Sequence, residues 1–298
     1  MRPVDAARNP AGCAPATYGE GERPPRGDYT RAGADYCCEQ DWASYSEAEH
    51  ALYQRLHARQ CALLDGHACD AFVRALAHLG PAERIPRFER VSDRLEAATG
   101  WRLVAVPGLI PEEAFFSLLA RRRFPVTDWL RRPEEFDYIV EPDLFHDLFG
   151  HVPLLFEPVF ADFMQAYGAG AMKASGLGAC ELLARLYWYT VEFGLIASPD
   201  GWRAYGAGLL SSGSELVHAV RATGPRRLAF DVHRMMRSRY RIDCFQPTYF
   251  VIDSFEDLFR ACEPDFTPLY ERVKQSIRAS GEIEAGQAAT GDRPALQA

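Results

Sequence analysis

At its centre the chain reads Pro142-Asp143-Leu144-Phe145-His146-Asp147-Leu148-Phe149-Gly150-His151-Val152-Pro153. Two histidines five positions apart sit among acids, ahead of a proline. Neutral imidazole is the commonest protein ligand for a transition metal. Two rings leave most of a coordination sphere open, so a third ligand is sought elsewhere. Glu192, in Tyr187-Trp188-Tyr189-Thr190-Val191-Glu192-Phe193-Gly194, is the candidate, because its carboxylate stands in an apolar run where an unpaired charge is costly. Two histidines and one carboxylate with open positions form the facial triad of non-haem Fe(II) oxygenases. At about 3.6 residues per turn, an i,i+5 spacing puts the rings on different faces of a regular helix. Both reach one ion only if the helix loosens or ends between them. A π-type turn does this, and Gly150 and Pro153 suit an ending. On spacing alone, two structural histidines and a salt-bridged Glu192 explain the same residues.

Composition bounds what surrounds that stretch. The 298 residues, 48% hydrophobic, suffice for one large domain or two small ones. Lys and Arg number 33 against 41 Asp and Glu, a net charge of −8, which argues against nucleic acid and anionic membrane surfaces as partners. No apolar run approaches the ~20 residues of a transmembrane span, and residues 1–18 lack the apolar segment of a secretory signal. Eight cysteines, at 13, 37, 38, 61, 69, 180, 244 and 262, form no C-x-x-C pair or regular framework, so reduced thiols in a cytoplasmic protein are expected. Residues 1–40, rich in Pro, Gly, Arg and Ala, read as a disordered tail. Residues 41–279 read as one catalytic domain and residues 280–298 as a flexible tail.

Outward from the histidines the pattern is mainly helical. Ser46-Glu47-Ala48-Glu49 is a capping box that opens a helix to about residue 63. His50 and His57 flank that helix at the surface, with no acid or third ligand to join them. Further helices are expected at 69–79, 88–99, 112–121 and 157–167, and short strands at 101–106 and 124–133, the second broken by Pro125. Residues 180–196 read as the longest helix, with Glu181, Arg185, Trp188 and Glu192 on one face and Leu182, Leu186, Tyr189 and Phe193 on another. Residues 205–214, rich in Gly and Ser, suit a loop that approaches a ligand. Gly168-Ala169-Gly170 and Gly206-Ala207-Gly208 complete no phosphate-binding G-x-G-x-x-G. His218 and His233 are expected to be ordinary. Helices at 226–235 and 254–262 and a strand at 245–252 complete a mainly α single helical domain with a few short strands. Phe115, Trp129, Tyr138, Tyr187, Trp188 and Phe193 accompany the ligands and suit a flat substrate. Asp143, three residues before His146, suits either an N-cap or a carboxylate holding the ligand imidazole by its other nitrogen.

Three strings then come together: Glu141-Pro142-Asp143-Leu144-Phe145-His146-Asp147-Leu148-Phe149-Gly150-His151-Val152-Pro153-Leu154, Tyr187-Trp188-Tyr189-Thr190-Val191-Glu192-Phe193-Gly194-Leu195 and Ala204-Tyr205-Gly206-Ala207-Gly208-Leu209-Leu210-Ser211-Ser212. In this order, across residues 42–262, the chain closely resembles the pterin-dependent aromatic amino acid hydroxylases, nearest their bacterial members. The resemblance implies the aromatic amino acid hydroxylase fold and conversion of L-phenylalanine to L-tyrosine with O2, Fe(II) and a tetrahydropterin (tetrahydrobiopterin or a related bacterial pterin). It implies His146, His151 and Glu192 as iron ligands. It places the pterin on Phe115, along the Gly108-Leu109-Ile110 backbone, near Tyr187 and faced by Asp147. It gives Arg131 the substrate carboxylate, helped by Ser211, with Trp188 and Pro142 walling the ring and Tyr138 bordering the cleft. The chain departs from the pattern at Asp128-Trp129, which could alter the pocket rim, and at Ile139, apolar where animal members carry a hydroxyl. With no heptad-rich C-terminal helix, a monomer is expected. The rival readings are a hydroxylase preferring tryptophan or tyrosine, a zinc-dependent hydrolase on the same ligands, and a non-catalytic binding protein with a structural metal.

Overall fold

The computed structural model describes residues 26–263 and 265–296; the first 25 residues of the expected N-terminal tail lie outside it. The capping box forms: Ser46 accepts from the Glu49 N–H, and the Glu49 carboxylate accepts from the Ser46 N–H, opening α1 (Glu47–Leu64). His50 on α1 is buried, not surface-flanking; its Nδ1 accepts from the Ile85 N–H at 3.1 Å. Two shorter helices, α2 (Asp70–Leu76) and α3 (Phe88–Thr99), follow, and Gly100 ends α3 in the left-handed region.

Strand β1 (Arg102–Val106) runs parallel to β2 (Arg123–Thr127), with α4 (Glu112–Ala120) crossing between them and Leu103 paired to Phe124. Pro125 does not break β2, because this sheet has two strands and both are edges. Helix α5 (Pro158–Gly176) runs well past Tyr167. Gly168 is no stop signal: a Cβ there would meet the Ala120 backbone nitrogen at 2.5 Å, so the glycine lets α4 and α5 touch backbone to backbone.

The expected long helix over 180–196 is three pieces. Helix α6 (Cys180–Tyr187) widens into a π turn, Trp188–Glu192, and the chain then enters strand β3 (Leu195–Ser198). Gly194 makes the bend. A side chain there would meet Tyr205 Cζ at 2.2 Å and Thr190 O at 2.4 Å. Strand β4 (Gly201–Ala204) returns antiparallel to β3. Helices α7 (Ala207–Leu210) and α8 (Gly213–Arg221), strand β5 (Arg226–Ala229), helix α9 (Val232–Arg237) and strand β6 (Thr248–Ile252) complete a four-stranded sheet in the order β4-β3-β6-β5. Helices α10 (Phe255–Cys262) and α11 (Thr267–Ser280) close the chain against α5 and α9.

Both expected tails pack where they are described. At the front, Arg26 pairs with Glu135, Arg31 pairs with Asp128, and Cys38 bridges to Ala105. Asp128-Trp129, the pair foreign to the family pattern, is the docking point. Asp128 also accepts from the Tyr45 hydroxyl at 2.8 Å, and Arg26 lies 4.2 Å over the Trp129 ring. At the back, Ile283 is buried and exchanges backbone hydrogen bonds with Arg237 and Arg239, while Ala229 and Ala295 bond across to Arg293 and Arg227. Composition missed both because few large apolar residues hold them; ion pairs and backbone bonds do.

Asp292 anchors the C-terminal segment between Arg226 at 2.9 Å and Arg234 at 2.7 Å. Burial works against its ionised form, but the hydrogen bonds from Arg234 and Ala289 outweigh that and keep the carboxyl below its ordinary range. A depressed carboxyl adds stability above the unfolded-state value and loses it as pH falls through the folded one. Asp292→Asn should lower the unfolding free energy by about 2 kcal/mol at pH 7. In denaturant titrations repeated at falling pH, that gap should close once the wild-type carboxyl is protonated.

Candidate metal centre

The two histidines occupy a π turn, His146–His151, the loosened geometry that an i,i+5 pair requires. The wider turn brings the ring centroids to 4.9 Å and the two Nε2 atoms to 3.2 Å. Glu192 arrives from the second π turn. Its Oε1 is 3.2 Å from His151 Nε2 and its Oε2 is 3.6 Å from His146 Nε2. The three donors lie within 4.8 Å of one another and are the one cluster of this kind among the described residues. First-row metals bind such nitrogens and oxygens at about 2.1 Å, so one ion can touch all three from a single side.

The donor chemistry fits a divalent metal. Burial pushes the His146 ring down to about 4, so it stands as the neutral, ligating form. Its other nitrogen is fixed by Ser211. That hydroxyl donates to Ala207 O at 2.8 Å, which leaves its oxygen to accept Nδ1–H of His146 at 2.9 Å and directs the Nε2 lone pair at the site. Of the two roles the sequence offers Asp143, it takes the cap and not the imidazole contact. It caps the π turn by accepting the His146 N–H at 2.9 Å, and it takes the Nε and Nη2 of Arg131, each at 2.8 Å. Arg131 and Asp143 are 3% and 0% exposed. The fork expected to grip a substrate carboxylate is thus already filled by Asp143, and Nη1 alone is left without a protein partner among the described residues.

On one side of the donors opens a cavity of about 470 Å³. Arg131, Tyr138, Pro142, Trp188 and Ser211 line it with His146 and Glu192, as the sequence reading places them, and so does the apolar Ile139. The Trp188 ring stacks on Tyr240 at 4.3 Å and leans on Phe193 at 4.6 Å, and its indole N–H bonds to Gln246 Oε1 at 3.1 Å. The other residues named for the site do not line this cavity. Tyr187 is 6.4 Å from the His151 ring and meets Phe115 edge-on at 5.8 Å. Asp147 is buried and accepts the Thr127 N–H at 2.8 Å; burial raises its carboxyl to about 7. Gly108, Leu109 and Ile110 follow β1, and the Tyr29 hydroxyl donates to Leu109 O at 2.8 Å.

Two wall residues, and one that backs the wall, escaped the sequence reading. Gln246, Glu215 and Tyr240 carry no motif; each is placed by contacts more than thirty positions distant. Gly206 and Gly208 were legible as close-approach residues, but what they approach is the metal-ligand turn. A Cβ on Gly206 would meet Glu192 O at 2.4 Å, and one on Gly208 would meet the same atom at 3.0 Å.

The family model for biopterin-dependent aromatic amino acid hydroxylases matches residues 26–272. The chain belongs to that family. It is 60% identical over 240 residues to the phenylalanine-4-hydroxylase of Ralstonia nicotianae, covering 80% of this chain and 77% of that one. It is 58% identical over 237 residues to the Chromobacterium violaceum phenylalanine-4-hydroxylase, covering 79% and 80%. The crystal structure of the latter bound to cobalt superposes with a TM-score of 0.86 at 53% identity, over 89% of this chain and 95% of that one.

Ser211→Ala removes the acceptor that fixes the His146 tautomer. Metal affinity should fall roughly 10- to 100-fold in a calorimetric titration of the metal-free protein, with the thermal midpoint of that metal-free protein nearly unchanged. Gly206→Ala forces a methyl against the Glu192 carbonyl and should cost both metal affinity and about 1–3 kcal/mol of stability, read by the same titration and by chemical denaturation.

Proposed function

We propose that the chain is a phenylalanine 4-monooxygenase, forming L-tyrosine from L-phenylalanine, O2 and a tetrahydropterin at a mononuclear Fe(II) site. One observation carries the reading: His146, His151 and Glu192 converge, and His146 and Glu192 line a cavity that Tyr138, Trp188, Phe193, Phe245 and Arg131 also line. Identity of 44–60% to curated phenylalanine-4-hydroxylases supports the substrate.

His146, His151 and Glu192 hold the iron, and Ser211 keeps His146 in the ligating tautomer. When bound, iron and the tetrahydropterin supply the oxygen-activating and electron-donating chemistry. The protein binds, orients and keeps water out. Trp188, stacked between Tyr240 and Phe193, and Pro142 wall the substrate ring, and Tyr138 borders the entrance. Arg131 offers Nη1 to the substrate carboxylate, a single-point contact in place of a fork. Phe115 would stack on the pterin with Tyr187 nearby, the backbone of Gly108, Leu109 and Ile110 would line its edge, and Asp147 would face it.

The enzyme is read as a cytoplasmic monomer that takes neither nucleic acid nor membrane as partner. Cys37, Cys38, Cys61, Cys69, Cys180 and Cys262 are free thiols, as a reducing compartment keeps them, and no described helix is long and apolar enough to cross a membrane.

Protein reconstituted with Fe(II) and given a tetrahydropterin, phenylalanine and air should yield tyrosine with matching pterin oxidation. Competition with tryptophan and tyrosine should leave phenylalanine preferred. Zinc loading should abolish turnover; hydrolytic activity with zinc and none with iron would overturn the reading. Glu192→Gln should weaken iron binding and uncouple pterin oxidation from tyrosine formation.

A further inference from the structure

Five carboxylates line the cavity, and their partners differ. Asp137 pairs with Arg59 at 3.2 Å and Asp243 with Arg241 at 2.8 Å. Glu141, half-buried, accepts the Arg26 N–H. Glu192 belongs to the metal. Glu215 stands apart: it is 8% exposed, and no cationic side chain reaches it among the described residues. Its Oε1 accepts the Gln246 N–H at 2.8 Å and the Tyr249 hydroxyl at 3.0 Å, while Oε2 has no protein partner among the described residues.

A buried carboxylate without a cation is costly to ionise. Burial pushes the Glu215 carboxyl up to about 7, against the two hydrogen bonds that hold it down. Groups so placed in a cleft are candidates for ligand binding. The balance of charge around the cavity points the same way. Arg131, the cation that lines it, is already neutralised by Asp143. A ligand entering this cavity therefore finds on its wall a carboxyl whose ionised form no cationic side chain compensates among the described residues, and the ligand group that compensates it is a cation.

Resting on the reading of the cavity as an amino acid site, we propose that Glu215 receives the substrate's ammonium group through Oε2 and so makes the enzyme select α-amino acids over their des-amino analogues. An α-amino acid carries its ammonium and carboxylate on one carbon, and Glu215 and Arg131 line one cavity. Glu215 is held rigidly for the task. Its N–H bonds to Ser212 Oγ at the start of α8, and the Gln246 it bonds also carries the Trp188 indole.

The test is equilibrium binding of phenylalanine and of 3-phenylpropionate, which lacks the ammonium, to the iron-loaded enzyme without pterin. Wild type should bind phenylalanine more tightly. Glu215→Gln, which keeps both accepted hydrogen bonds but no charge, should weaken phenylalanine roughly 10- to 100-fold and shift 3-phenylpropionate by less than about twofold. Tyr249→Phe, which drops one hydrogen bond but keeps the charge, should retain the preference for the amino acid. Equal weakening of both ligands by Glu215→Gln would mean that the residue only props the Trp188 wall, and overturns the proposal; so does no change in either. Should the variant not fold, equal wild-type affinity for the two ligands overturns it as well. If wild type binds and hydroxylates phenylalanine while these outcomes fail, only the role of Glu215 falls; if it does not bind phenylalanine, the substrate reading falls with it.

Discussion

Two loosened turns from distant parts of the chain must meet at one point, and a six-residue segment, 206–211, holds them there. Gly206 and Gly208 lie against the Glu192 carbonyl, Ala207 lies against Gly150 between the two histidines, and Ser211 takes the His146 ring nitrogen. The Gly208 N–H also supports the Glu192 carboxylate. Each contact needs a residue without bulk, because π turns carry their backbone wider than a regular helix and leave little room outside. The small residues here are packing elements of the metal centre.

The same constraint explains which parts of the site were legible. An i,i+5 histidine pair requires a turn wider than a helix if both rings are ligands, so the His146–His151 geometry follows from spacing and chemistry together. Glu192 was legible as a charge in an apolar run, but the end of its helix was not. Apolar periodicity continues through Phe193, and only the approach of Tyr205 to Gly194 forces the bend. Arg131 was legible only through the family resemblance; its partner was not. Asp143 lies twelve positions on, and nothing local says whether it faces an imidazole or a guanidinium. The terminal segments were misread for a related reason. Arg26, Arg31 and Asp292 find their partners 109, 97 and 58 positions distant, and composition does not record distance along a chain.

Charge placement ties the scaffold to the chemistry. Arg131 and Asp143 form a buried pair, which by itself contributes little net stability. Its value here is positional. Asp143 caps the turn that carries His146 through the His146 N–H, and it fixes the guanidinium at the cavity wall through Arg131 Nε and Nη2, with the Arg131 N–H bonded as well. A lysine at position 131 would keep the charge but lose the parallel pair of bonds that locks this geometry.

That locking has a consequence for recognition. A cation whose fork is occupied meets a carboxylate at one point and with most of its charge already balanced, so it orients a ligand more than it attracts one. Attraction must then come from burial of the aromatic ring against Trp188 and from whatever charge on the wall is left unbalanced. The ring term is insensitive to what the α-carbon bears, since stacking reads only the flat face. Discrimination among aromatic molecules of similar size therefore rests on polar groups in the wall, and those groups sit on α8 and the loop before β6, away from the metal-ligand turns. Glu215 and Gln246 thus stand outside the metal-ligand turns, whereas Trp188, Ser211 and the Arg131–Asp143 pair tie the cavity wall to the metal centre.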